Sequence, residues 1–348
     1  MNRHKEIRQA FEQQGESCSR LGSPFTALLM DVMAEHLSEA TRTGSAVLNW
    51  DGDANALNDA LPLRVAGALH ATVRAGLLPD LASLYPPNPL PEAALLAAAV
   101  TAALEQADEE LQQWLQFAPQ TNETARSAVL YPGFMTIAHQ TGLPLHLFEL
   151  GASAGLNLIA DRYSYELGGM QAGCAGSALT LAPQWQGPMP PDAHVEVVAR
   201  QGCDRAPLDV RKPDHRERLM SYVWPDQAER LSRAQTAIGL AQKEAVSLDQ
   251  ADAASWVEEQ ISLQPTVGVT RVLFHSIAWQ YFSANHQARI TRRMEQAGSA
   301  ASADAPLAWL SFEQKPGDAP QLSLRVWPAG QAQVLATADA HVRKIIWF

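Results

Sequence analysis

The stretch from Leu145 to Tyr165, L-H-L-F-E-L-G-A-S-A-G-L-N-L-I-A-D-R-Y-S-Y, constrains this chain more than any other. Leu145 to Leu150 is a short apolar run and reads as a buried strand. Gly151-Ala152-Ser153-Ala154-Gly155 follows, all small residues, and then Leu156, Ile159 and Ala160 recur at helical spacing. Strand, tight small-residue turn and helix is the opening unit of an α/β domain that binds nucleotide-like ligands. Small residues admit a ligand close to the backbone. The first N–H groups of a following helix are unpaired and favour negative charge. Glu149 lies at the carboxyl end of the expected strand, where open α/β sheets bind their ligands.

Three chemistries compete for this loop, beside a tight turn that serves packing alone. Glu149, Gly151, Ser153 and Gly155, as acidic-x-Gly-x-Ser-x-Gly, resemble motif I of class I S-adenosylmethionine-dependent methyltransferases. A nicotinamide or flavin site needs G-x-G-x-x-G, which fails here because Ser153 holds the middle place and Leu156 follows Gly155. G-A-S-A-G is also a G-x-S-x-G pentapeptide, the pattern of a nucleophile elbow, with Ser153 as the nucleophile.

Composition narrows the partners. With 348 residues the chain is long enough for one large domain or two ordinary ones. A net charge of −11 repels phosphate backbones, and the basic residues of Arg211–Arg218 are interrupted by Asp214 and Glu217. Nucleic acid is therefore the least attractive acceptor. Cys18, Cys174 and Cys203 are odd in number and widely spaced, which indicates neither a disulfide framework nor a structural metal site. No signal peptide is evident at the polar N-terminus, and Ala93–Leu104 is too short an apolar run to span a bilayer. These signs point to the cytoplasm with no membrane association, and leave the oligomeric state open.

Along the chain, residues 1–140 read as a helical N-terminal cap region and 141–348 as a Rossmann-like domain. Ser23-Pro24 looks like a helix start, Leu63–Val73 a helix stopped by Gly76, and Pro91–Phe117 one long helix. Asn49–Asn58 is rich in turn residues. Beyond the first loop, Gly168–Ala193 is a Gly- and Pro-rich excursion. Expected strands are His194–Ala199, Ala245–Leu248, Arg271–Ile277, Leu307–Phe312, Leu322–Trp327, Gln333–Ala336 and Val342–Trp347. Alternating strands and helices followed by a terminal hairpin match the order of a class I methyltransferase sheet.

The resemblance extends beyond the loop. Glu149–Leu158 with Asp161 and Tyr163, Gly202-Cys203-Asp204 with Pro207, Tyr222–Gln227, and His275-Ser276 with Trp279-Gln280-Tyr281 resemble the signatures of the bacterial domain-of-unknown-function family 2332. That resemblance covers nearly the whole chain and implies a Rossmann-like methyltransferase architecture. By fold analogy it implies S-adenosylmethionine as cofactor and a small-molecule or protein methyl acceptor.

The methyltransferase reading assigns residues. Gly151, Ser153 and Gly155 would lie beneath the methionine part of the cofactor, with Glu149 meeting its ammonium. Asp204, or alternatively Glu166, would receive the ribose hydroxyls. Asp252 would take the adenine amino group or, alternatively, cap the helix that follows it. Asn157 and Asp161 share a helical face, Asn157 being the nearer to the ligand. His275 would act as general base, or as a structural histidine bonded to backbone. Trp279, Gln280 and Tyr281 would wall the substrate site or pack in the core, and Arg64 and His70 would face the cleft if the helical region covers it. Two other functions remain: a serine hydrolase using Ser153, with His275 or His341, and a ligand- or partner-binding protein without catalysis.

Overall fold

A computed structural model of the chain describes residues 3–55, 58–261, 264–315 and 317–348. Residues 56 and 57 of the expected turn-rich segment lie outside the described residues. By internal contacts the chain divides into two compact units, one of residues 1–121 and 212–232, the other of 122–211 and 233–348. The fold is mixed α/β, with twelve α-helices and a nine-stranded sheet among the described residues.

The helical unit is built from α1 (Arg3–Arg20), α2 (Pro24–His36), α3 (Arg42–Leu48), α4 (Leu61–Arg74), α5 (Pro79–Ala82), α6 (Ala93–Gln106) and α7 (Asp108–Leu115). Its core is aliphatic and draws on every one of these helices, with Phe11, Leu29, Leu48, Leu69, Leu81, Leu96 and Leu111 all buried. The expected helix over 91–117 is broken at Ala107, so that Asp108 turns back to accept from the Arg42 and Thr43 amides at the start of α3. The expected helix at Ser23-Pro24 is present, but Ser23 does not cap it. Asp226, far along the chain, does so by accepting from the Phe25 amide at 2.9 Å and from the Ser23 hydroxyl.

In the second unit, α8 (Ser127–Thr141) leads to β1 (Leu145–Leu150). Three short strands, β2 (Ser164–Leu167), β3 (Met170–Gly173) and β4 (Thr180–Leu181), form a separate small sheet, β2 just ahead of the expected excursion and the other two within it. The main chain of strands continues as β5 (Gln184–Gln186), β6 (Val197–Asp204), β7 (Ser247–Gln250), β8 (Thr270–Ser276), β9 (Leu307–Glu313), β10 (Gln321–Trp327), β11 (Ala332–Ala338) and β12 (Lys344–Trp347). Helix α9 (Pro213–Ser221), in the crossover between β6 and β7, belongs to the helical unit, and α10 (Ala228–Ala241) follows it. Helices α11 (Ala253–Gln260) and α12 (Ala284–Ser299) complete the set.

The order in the large sheet is β5-β12-β11-β10-β9-β8-β1-β6-β7. The five strands β7, β6, β1, β8 and β9 are mutually parallel. From β1 the chain steps outward to β6 and β7, then returns to the other side of β1 as β8 and β9. The order therefore reverses beside β1, the place where parallel sheets open a ligand crevice. Beyond β9, strands β10, β11 and β12 are joined as an antiparallel meander. Every residue of β8 is buried, as expected of a strand covered on both faces. Phe134 of α8 meets Phe274 on one face, while α11 and α12 cover the other through Trp256, Val257, Ile290 and Met294. Helix α8 carries Gly133 where a Cβ would lie 2.8 Å from Leu310, so the glycine permits close docking on the sheet.

One expectation fails at the centre of the fold. No α-helix follows the small-residue loop; the chain makes turns and a single 3₁₀ segment, Ala160–Arg162. Side chains take the carbonyls that a helix would have used. Tyr163 Oη donates to Leu156 O at 2.6 Å, Tyr165 Oη to Ala160 O at 2.6 Å, and Arg200 to Leu158 O at 3.3 Å. Arg200 also forms a buried two-pronged pair with Asp161 at 2.8 and 2.9 Å. The helical spacing of Leu156, Ile159 and Ala160 is thus overridden by tertiary bonds.

Candidate functional site

The loop after β1 holds three left-handed positions in alternation, Gly151 (φ 66), Ser153 (φ 53) and Gly155 (φ 71). Glycine adopts that region freely, whereas Ser153 is strained there by about 1–3 kcal/mol. The loop folds over the end of β6, and Gly202-Cys203-Asp204 explains why. A Cβ on Gly202 would lie 2.8 Å from that of Ala152, so only glycine lets the loop settle. The Cys203 carbonyl then accepts from the Ala152 amide at 3.0 Å, and Asp204 Oδ2 accepts from the Ser153 amide at 2.9 Å. Three consecutive residues of β6 therefore brace the loop. Asn122 adds a further bond, accepting from the Leu156 amide at 2.9 Å.

These bonds correct the expected anion cradle. With no helix behind the loop, and with the amides of Ala152, Ser153, Gly155 and Leu156 bonded inside the protein, the loop does not present a helix N-terminus to a ligand. It presents side chains instead. Glu149 is 1% exposed, and its Oε2 has no hydrogen-bond partner. Ser153 is 3% exposed, and its Oγ likewise has none. Burial pushes the Glu149 carboxyl well above the usual carboxylate range; a hydrogen bond from Asn157 opposes this, the Asp204 charge adds to it, and Arg126 opposes it weakly. Asn157 is itself buried and accepts from Ser127 Oγ at 2.8 Å. Arg126 donates to the carbonyls of Ser276, at 3.0 Å, and Ala340, at 3.3 Å.

The neighbouring parallel strand ends in a second strained turn. Ile277 has φ 49, an outlier for a β-branched residue. His275, level with Leu150 in the β1–β8 register, is 2% exposed. Its Nε2 accepts from the Trp309 indole N–H at 3.0 Å, so the proton resides on Nδ1, which donates to Glu313 Oε1 at 2.7 Å. Both ring nitrogens are occupied, and the ring stacks on Trp279 at 5.1 Å. This arrangement does not leave His275 a lone pair with which to act as the expected base. The same geometry bears on a serine nucleophile: Ser153 has the backbone of an elbow, but no base reaches its hydroxyl.

The structure brings together Glu149, Gly151, Ser153, Gly155, Asn157 and Asp204, and sets the other candidates elsewhere. Asp252 caps α11, accepting from the Ser255 amide at 3.0 Å, and pairs with His286 at 3.2 Å. This is the capping alternative, which takes the carboxylate away from an adenine role. Glu166 is exposed on β2 of the small sheet. Trp279 packs with His275, Phe282 and Trp309, while Gln280 and Tyr281 are exposed. Within the helical unit, Arg64 donates to the carbonyls of Asp59 and Leu115, and His70 is buried against the Ser221 carbonyl. Asn122, Arg126, Ser127, Trp309 and Glu313 were not singled out from sequence. Glu313 carried one readable signal, as the polar last residue of an apolar run ending at the same edge of the sheet as Glu149 and Asp204.

Among the described residues, no group of three or more His, Cys, Asp or Glu could hold a metal ion, and no helix is long and apolar enough to cross a membrane. A family described as "Uncharacterized protein conserved in bacteria (DUF2332)" matches residues 8–347, and the chain belongs to it. Neither a curated protein nor a solved structure matches the chain significantly.

Proposed function

We propose that this member of the uncharacterized bacterial family binds S-adenosylmethionine at the carboxyl ends of β1 and β6, and transfers its methyl group to a small molecule or a protein group. One observation carries the reading: two buried polar atoms without partners, Glu149 Oε2 at the end of β1 and Ser153 Oγ on the strained loop after it, lie where the parallel strand order reverses. Leaving a buried polar group unpaired costs about 1–3 kcal/mol. Two such groups four residues apart are understandable where a ligand supplies the missing partners.

The residues present fit the amine and ribose ends of the cofactor. Glu149 would meet the ammonium, and Ser153 Oγ would bond beside it. Both Asp204 oxygens already accept backbone amides, those of Ser153 and Ala206 at 2.9 Å each, so ribose hydroxyls would share them. The methionine carboxylate lacks the helix terminus expected for it; Arg126, whose charge acts on Glu149, supplies positive charge there instead. The bound sulfonium supplies an activated methyl group, and the protein's contribution is to align acceptor and donor for in-line displacement. Calorimetric titration with S-adenosylmethionine and S-adenosylhomocysteine tests the reading. Micromolar binding, weakened at least tenfold by Gly151→Trp and by Ser153→Val, is expected. Absence of binding at millimolar ligand with folded protein would overturn it.

A further inference from the structure

We propose that Glu313 and His275 form a latch that holds the strained turn after β8 closed upon the Gly151 loop, so that His275 is a positioning residue for the site rather than a proton carrier. The ligand-binding consequence rests on the donor reading above; the latch itself does not.

A single oxygen, Glu313 Oε1, accepts two bonds, from His275 Nδ1 at 2.7 Å and from the Ala278 amide at 3.0 Å. It therefore ties both sides of Ile277, the residue forced to positive φ. Trp309 fixes the ring from behind through its indole N–H, and Trp279 lies flat against it. The Ile277 amide is bonded in turn to Phe312 O at 2.8 Å, one residue from Glu313. The turn so held places Ala278 where a Cβ added to Gly151 would lie 2.9 Å from the Ala278 methyl. The two loops at the reversal point thus touch, and the contact depends on a conformation that Ile277 does not adopt unaided. Removing the acceptor releases the turn, and with it the packing that fixes the loop bearing Ser153.

Glu313→Ala removes both bonds. Glu313→Gln retains an oxygen able to accept both, so it separates acceptor geometry from charge. Trp309→Phe keeps the aromatic body but loses the donor to Nε2, and serves as an independent variant if Glu313→Ala does not fold. The readout is amide hydrogen exchange by mass spectrometry, without ligand, over residues 149–158, with β10 and β11 as internal reference. Calorimetric titration with S-adenosylhomocysteine is run in parallel. The latch predicts at least tenfold faster exchange over 149–158 in Glu313→Ala, an intermediate rise in Trp309→Phe, unchanged exchange in the reference strands, and recovery to within threefold of wild type in Glu313→Gln. Wild-type exchange over 149–158 in Glu313→Ala, or in Trp309→Phe where Glu313→Ala does not fold, overturns it; equal acceleration in β10 and β11 also does, since that marks general destabilisation. The expected exchange pattern without S-adenosylhomocysteine binding to wild type supports the latch and refutes only the donor reading.

Discussion

Replacing Glu149 by glutamine should make the protein more stable at neutral pH. The carboxyl is fully buried, one oxygen has no partner, and its affinity for a proton is raised chiefly by desolvation. In the unfolded chain the same group titrates near its ordinary value of 4.5. A raised folded value means that the folded state retains a proton which the unfolded state releases. The group's contribution is therefore present in full below about pH 4.5, declines above it, and is lost as pH rises through the folded value. Between the unfolded and the folded value the slope is about 1.4 kcal/mol per pH unit. Glutamine has nearly the same shape, keeps an oxygen for Asn157 and does not titrate. Urea unfolding at several pH values, compared through midpoints at constant slope, gives the difference directly. Glu149→Gln should match wild type near pH 4.5 and gain on it as pH rises, by up to about 1.4 kcal/mol per pH unit until the folded carboxyl releases its proton. A difference independent of pH would refute the argument, because the cost would then not arise from holding a proton.

The same structure yields other outcomes. Arg200→Ala leaves Asp161 only the longer pair with Arg162 at 3.6 Å and frees the Leu158 carbonyl, and should cost about 1.5–3 kcal/mol by urea unfolding; a loss below about 1 kcal/mol would show that the pair behaves as a surface bridge. Burial lowers the His70 imidazole to about 4, against a bond to the Ser221 carbonyl that raises it. Its contribution is present above pH 6.5 and lost as pH falls through 4, a swing of about 3 kcal/mol that His70→Asn should abolish in acid unfolding curves. Asp226→Ala removes the acceptor at the start of α2 and should cost about 1–2 kcal/mol, measurable by thermal melting, with Asp226→Asn losing less.

Much of the architecture was legible because periodicity and punctuation survive folding. The strand Leu145–Leu150 and the hairpin strands expected at Leu322–Trp327 and Gln333–Ala336 lie where their patterns place them, to within a few residues. The loop was legible for the same reason: three small residues at alternate positions take left-handed backbone. The segment beyond the loop was not legible. Leu156 to Ala160 has helical spacing, but its carbonyls are claimed by Tyr163, Tyr165 and Arg200, partners that spacing does not reveal. Asp204 was singled out as a ribose ligand, yet its visible work is to hold the Ser153 amide. His275 stood out as a histidine at a strand end, while Glu313 and Trp309, which decide its tautomer, lie more than thirty residues away. Likewise, the assignment of 212–232 to the helical unit depends on long-range bonds such as Asp226 to α2 and Tyr222 Oη to Phe117 O.

Buried Glu149, which holds a proton more tightly than a solvated carboxyl does, is the proposed partner of a ligand ammonium. Insertion of a cation favours the carboxylate, so binding lowers its affinity for protons and drives those it holds into solution. Calorimetric titration of S-adenosylmethionine at several pH values from about 5 to 7, in two buffers of different ionisation enthalpy, counts those protons. Wild type should release protons on binding, more of them as pH falls, and Glu149→Gln none; that variant should also bind at least tenfold more weakly while unfolding at higher urea. Binding without proton release, or binding unaffected by Glu149→Gln, would contradict this pairing.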